Sequence, residues 1–288
     1  MGKRAKNHHI VPEVLQRQFA IADDPKRIWR AKRHMNGNYR KLERKLINKS
    51  FVIRDYYTIL ENDERSDRVE RDYYGMIDNF LGQWLPEVIG IFQEGKIPSF
   101  NPKNLDDTRK VVMAMLKRTP DFIKDLDDFA VGRDLVETCL REAPEDTSAS
   151  QREIWEAELA DEQRLRDIGR HIRVAASLKN SQRIEEALAE RSPRWAISET
   201  KHSYVLSSMM AYRIGNGGPN GLSNPEMEIW MPITPKIAFV LVRDPDNTIP
   251  MIVKDEPEHI RQINEYAMNN CFELASHSEL LLKSLLRQ

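Results

Sequence analysis

MEIWMPITPKIAFVLV, residues 227–242, contains two β-rich runs with a Pro-containing turn between them. Each run is strand-length and rich in β-branched or aromatic residues, and Pro232 and Pro235 punctuate them. Two more runs of this kind come earlier, RWAISE at 194–199 and SYVLSSMMAYRI at 203–214. The string GNGGPNGLSNPE separates them from Met227. It lacks the Lys-Ser/Thr of a phosphate-binding loop and reads as a flexible connection. Downstream, Ile260, Ile263, Ala267, Cys271 and Leu274 recur on one face of a helix, and LLLKSLL at 280–286 makes a short last helix.

The middle of the chain is helical. Val69, Tyr73, Met76, Ile77, Phe80 and Trp84 have helical spacing, Asp67 with Glu70 forms a capping-box pattern, and Pro86 predicts a kink or break. Further helices are predicted at about 105–118, 121–141, 151–170 and 172–190, with Thr119-Pro120 stopping the first of these. Upstream, RIWRAKRHMNGNYRKLERKLI at 27–47 reads better as strands around an Asn36-Gly37 turn, although Leu42 and Leu46 after the turn would also suit a helix, and RDYYTIL is a further extended run. Residues 12–20 suggest a short helix with Pro12 in its first turn. The order predicts an α+β fold: an N-terminal short helix and strands, a central helical bundle, and C-terminal strands with a closing helix. Its first and last strands are expected to share one sheet. One domain over 1–288 is expected, with a subdivision into 1–141, a polar linker at 142–150, and 151–288.

The net charge of −1 hides an asymmetry. Residues 1–54 hold 15 Lys and Arg against 4 Asp and Glu, a net +11, and the remainder is net −12. Such a split points to an anionic partner for the N-terminal segment, or to neutralisation across an internal or homo-oligomer interface. An apolar content of 40% excludes a disordered chain, and no apolar run is long enough to span a bilayer. Two cysteines make no disulfide framework, and MGKRAKNHHI has no apolar signal-peptide core, so a cytoplasmic protein without a membrane partner is expected.

NHHIVPEVLQRQFA at 7–20 invites comparison with metal nucleases that open on a His pair before a Pro. Such a site needs a second ligand on a following helix, and the only nearby candidate, His34, sits beside the Asn36-Gly37 turn. No zinc set, GxSxG, HExxH or GxGxxG appears, so no metal and no cofactor is expected.

Taken in order, His9, Val11, Pro12, Arg17 and Phe19, then Ile28-Trp29 and Lys32, Tyr57, Glu70, Lys117-Arg118-Thr119-Pro120, Met231-Pro232-Ile233-Thr234-Pro235 and Asn264 form a recognisable series. The chain resembles the domain-of-unknown-function family DUF 4238, over nearly its whole length. Members usually carry a Ser-Asp-x-Pro-like turn after a late strand, where this chain has Ser207-Ser208-Met209-Met210. Some members look like anti-phage defence proteins. The resemblance therefore implies a toxic or sensing role acting on nucleic acid or another phosphate-rich target, or on a phage component.

The series also supplies a candidate site. Metal-independent RNA cleavage needs a base, an acid and cations around the phosphorane. His9 and Glu70 are the candidate acid–base pair and Tyr57 a hydrogen-bond donor or stacking ring. Arg17, Lys32 and Arg118 are the candidate phosphate ligands. Each also has a plain structural reading. His9 would bond within the fold, Glu70 would complete the capping box, the arginines would form ion pairs and Lys32 would lie on a solvated strand face. His8 is expected to be exposed. The first functional expectation is a defence-type effector that binds nucleic acid, RNA above all, with metal-free RNA cleavage as its candidate chemistry. The second is a non-catalytic module that senses nucleic acid or a phage protein.

Overall fold

In the computed structural model, strands Met227–Pro232 and Ile237–Arg243 pair antiparallel with Trp230 opposite Val240. Described are residues 6–34, 37–123, 126–215, 221–222 and 224–287. Asn36 of the expected turn and residues 216–220 of the glycine-rich loop lie outside them. Gly37, at φ +86°, occupies the left-handed region that favours glycine. The chain is α+β and divides into two compact units.

One unit comprises His9–Val52, Ile77–Phe122 and Asn180–Gln288. It contains a five-stranded sheet in the order Ile252–Lys254, Arg191–Ile197, Ile237–Arg243, Met227–Pro232, Tyr212–Gly215. Side chains alternate across a sheet. One face therefore presents Trp195 and Phe239, which are fully buried and 5.1 Å apart between ring centroids. Trp84, Phe92 and Phe100 close around them. Trp84 comes from helix Gly75–Gln93, which runs on through Pro86 instead of breaking there. Burial of Ile77, Leu81, Trp84, Leu85 and Val88 on this helix offsets the roughly 3 kcal/mol that an interior proline costs.

A second sheet of this unit has the order Glu43–Leu46, Arg27–Lys32, Glu273–Ser276, Leu206–Ser207. The tryptophan strand thus does share a sheet with late strands. Its direct neighbour is a segment that helical periodicity had absorbed: the helix Pro257–Asn270 ends with Cys271 at its C-cap, and Leu274 lies in a strand. Glu273, 1% exposed, fixes the arrangement by accepting from Arg30 Nη1 (3.0 Å) and from the backbone N–H of Phe51 (2.9 Å). Phe51 has φ 52°, a costly value for a non-glycine, held by that bond and by complete burial of its ring.

The other unit comprises Met1–His8, Ile53–Met76 and Ile123–Lys179. Helices Asp128–Arg141, Ala149–Ala160 and Glu162–Leu178 each start on a side-chain cap, from Asp127, Ser148 and Asp161. Residues 142–148 connect the first two, and the last two residues of the expected linker 142–150 already belong to the second helix. A hairpin, Ile59–Glu61 with Glu64–Ser66, turns on Asn62 and Asp63, both at positive φ, as a type I′ turn requires. The backbone N–H of Leu60 donates to His171 Nδ1 (3.1 Å), and Arg65 pairs with Asp167 (2.7 Å), tying the hairpin to the third helix. Among the described residues no helix is long and apolar enough to cross a membrane.

Candidate functional site

The helix Glu13–Gln18 starts at Pro12 (φ −53°) and buries Leu15 and Gln16. Gln16 is fully buried because its amide serves the backbone: Nε2 donates to Val11 O (2.8 Å). Ile10 N–H donates to Phe51 O (2.9 Å), so the chain on both sides of Pro12 is anchored to residues 46–51. This fixes His9 at the helix entrance. Its Nε2 lies 3.4 Å from Glu13 Oε1, one helical turn on. Burial lowers the His9 pKa most strongly, and Arg118 pushes the same way. Glu13, a bond with the Asn48 backbone and Asp78 oppose them. The ring is therefore mainly neutral at pH 7.

Arg118 follows helix Pro102–Lys117 as its C-cap and is 0% exposed. Its guanidinium ion-pairs with Asp78 and donates from Nη2 to the carbonyl oxygen of His9 (2.8 Å). Arg118 thus holds the backbone of His9 while Glu13 faces its ring. We expect Arg118→Ala to cost about 3 kcal/mol in a denaturant melt, since it opens a cavity and breaks a charge-assisted network. Arg118→Lys should recover less than half of that, because an ammonium cannot make the forked contact.

Arg17 lies one turn beyond Glu13, bonded to it at 3.3 Å, and is 65% exposed. Beside this pair is a cleft of about 270 Å³ lined by Glu13, Arg17, Lys26 and Asn48. Lys32 is elsewhere. Its ammonium lies over the Phe272 ring at 5.5 Å. Six residues of extended chain put it on the order of 20 Å along the strand from Lys26, too far to hold the same phosphate.

Tyr57 and Glu70 belong to the other unit. Tyr57 is 1% exposed and stacks on His8, with ring planes 3° apart. His8 is buried, not exposed as its polarity suggested: its Nδ1 accepts the Tyr57 backbone N–H at 2.9 Å, which accounts for the polar ring in an apolar setting. Tyr74 packs on Tyr57 at 4.3 Å. Glu70 is half-buried on a π-helical turn, Val69–Tyr74, that opens the long helix. The expected six residues therefore divide, four in one unit and two in the other. Asn264 bonds to the backbone of Ser203 and Val205 and is 2% exposed, a structural anchor. Ser208 donates to Asp121 Oδ2 (2.5 Å), so a carboxylate stands next to this position. Sequence spacing could have found Glu13, which is four residues after His9. Lys26, Asn48 and Asp78 carry no such signal. Among the described residues no group of three or more His, Cys, Asp or Glu is placed to hold a metal ion.

Fold and site together define an α+β protein whose N-terminal segment is a clamped histidine beside a partly cationic cleft. The chain belongs to the DUF4238 family: the model of this "Protein of unknown function (DUF4238)" matches residues 7–279. No curated protein and no solved structure gives a match.

Proposed function

We propose that this DUF4238 protein is a defence-type effector that binds nucleic acid, RNA by preference, through the surface built by residues 9–52. The supporting observation is the state of its cations. Residues 9–52 carry 11 Lys and Arg against 4 Asp and Glu. Arg17, Arg27, Arg30, Arg44 and Lys45 are ion-paired. Lys26, Lys32, Arg33, Arg40, Lys41 and Lys49 have no carboxylate within ion-pair distance among the described residues, and Lys26, Arg40, Lys41 and Lys49 are exposed. Unpaired exposed cations spread along this segment, Lys26 at the cleft among them, suit a phosphate backbone, whose affinity comes largely from released counterions. The defence role rests on the family resemblance.

Binding is the part of this reading that the geometry favours. The Nε2 atom of His9 is closed to solvent, so proton exchange with a bound strand there requires the groups around it to move. Metal-free RNA cleavage is the second reading, favoured by a largely neutral imidazole with a carboxylate 3.4 Å away.

Anisotropy titration of a single-stranded RNA across a salt series tests the proposal. The logarithm of affinity should fall steeply with that of salt, and each of Lys26→Ala, Lys41→Ala and Lys49→Ala should reduce the slope by about 0.7. A flat salt dependence would instead indicate a protein partner. Total RNA incubated with wild type and His9→Ala separates the two readings: cleavage by wild type alone supports the second. Phage plating with and without the gene tests the defence role.

A further inference from the structure

The second face of the five-stranded sheet is unlike the aromatic first. The register sets Val240 opposite both Arg194 and Trp230, and Val253 beside Ala196, so Arg194, Ala196, Glu228, Trp230, Val240, Val242 and Val253 share one face. Between this face and His259 of helix Pro257–Asn270 lies a slot of about 280 Å³, which Ile249 also lines. Its walls are mainly valine, isoleucine and the Trp230 ring.

Two polar groups, His259 and Glu228, reach it, and a third, Arg194, stands in its wall. His259 Nδ1 is bonded to Asp255 Oδ1 (2.5 Å), and the other oxygen of Asp255 accepts from the buried Tyr204 hydroxyl (2.5 Å). Asp255, 5% exposed, is thus fixed from both sides and orients the imidazole, whose Nε2 has no protein partner among the described residues. Arg194 is 3% exposed; its Nη atoms serve Pro193 O, Asp244 and Asn247, but its buried Nε–H has no hydrogen-bond partner among the described residues. Glu228 accepts from Trp230 Nε1 through one carboxylate oxygen (2.7 Å), and no side-chain donor among the described residues takes the other. The Arg194 Nε–H is closed to solvent, so Arg194 forms part of the wall and is not a contact within the slot.

We propose that the slot binds a nucleobase-like ring, a flat heteroaromatic carrying hydrogen-bond acceptors together with an N–H or amino donor. The apolar walls take its faces. His259 Nε2 faces the ring's edge, donating as the imidazolium and accepting as the neutral ring, and Glu228 accepts from its N–H or amino group. A hydrocarbon ring would leave His259 Nε2 and the Glu228 carboxylate without a polar partner, and a simple carboxylate would face Glu228. The ring can come from a free nucleoside or from an unstacked base of a single strand. The site is built from the C-terminal sheet and does not depend on the basic surface of residues 9–52.

Calorimetric titration of the intact protein with the four free ribonucleosides, with short single-stranded RNA, and with indole as a ring lacking acceptors tests this. Wild type should bind at least one nucleoside saturably, with indole weaker. Glu228→Gln and His259→Gln, both at partly exposed positions, should each lose about tenfold in affinity, with melting curves confirming that they remain folded. A strand that displaces the nucleoside identifies a base of nucleic acid as the source, and nucleosides that bind where strands do not identify a free ligand. The proposal is overturned if no nucleoside or strand binds at millimolar concentration. It is equally overturned if indole binds as well as the nucleosides, or if both variants bind as wild type does. Salt-dependent RNA binding alongside a failure of every nucleoside to bind would overturn the slot and leave the basic-surface reading standing alone.

Discussion

Gly169→Ala should destabilise the helical unit by about 3 kcal/mol, one added methyl group having the effect of a large core truncation. A Cβ at Gly169 would lie 1.8 Å from the carbonyl oxygen of Asp128 and 2.9 Å from the backbone nitrogen of Gly132. A Cβ at Gly132 would lie 2.0 Å from the carbonyl oxygen of Leu165. The two glycines therefore let helices Asp128–Arg141 and Glu162–Leu178 touch backbone to backbone. Because the obstructing atoms are main chain, no rotamer change can relieve the overlap, and the helices must separate. Separation would also stretch the contacts of Arg173, which bonds Asp128 Oδ1 at 2.8 Å and lies over the Tyr56 ring at 4.2 Å. Gly90→Ala is the control. It lies in helix Gly75–Gln93 with nothing within 4 Å of the new carbon, so the higher helix propensity of alanine should stabilise by up to about 1 kcal/mol. Urea denaturation of the two variants should move in opposite directions, and a neutral Gly169→Ala would refute the close crossing.

Trp195→Ala should cost the other unit about 3–5 kcal/mol. The indole is fully buried, with Trp84, Phe92, Phe100 and Phe239 all within about 6 Å of its centroid. No neighbour is free to fill the space, because the strand residues on either side are locked by the ladder to Ile237–Arg243. Trp195→Phe should cost much less, about 1 kcal/mol. The Trp195 Nε1–H has no hydrogen-bond partner among the described residues, so replacing the indole with a smaller ring removes an unsatisfied donor along with some contact area. If alanine and phenylalanine were equally disruptive, the aromatic cluster would not be the centre of this core.

What could be read in advance was local. The runs around Met227 and Ile237 alternate and are bounded by proline, so they could be recognised as strands without knowing their partners. The helix after Asn101 announced itself by period. The failures come from long-range choices. Cys271 and Leu274 continue the spacing of Ile260, Ile263 and Ala267, yet the chain leaves the helix at Asn270 because Glu273 is needed between Arg30 and Phe51, more than 200 residues earlier. Helical periodicity cannot see that. His8 looked like a surface residue because imidazole is polar; a backbone donor from Tyr57 reverses the expectation. The candidate site was legible as a neighbourhood, since His9 and Arg17 flank one short helix. Lys32 was drawn into it by sequence order alone, and strand rise carries it away. Asp255 and His259 stand four apart at a helix entrance, a pairing spacing that nothing else in the sequence singled out.

The position of Glu273–Ser276 between the tryptophan strand and Leu206–Ser207 has a kinetic corollary. On the ribosome, strand Arg27–Lys32 waits for its inner neighbour until residue 276 has been translated. At typical elongation speeds that interval lasts about 12 to 50 s. Throughout it, a newly made basic strand, carrying Arg27, Arg30 and Lys32, has one edge open beside ribosomal RNA, and the nascent protein reaches its final surface only when synthesis is almost over.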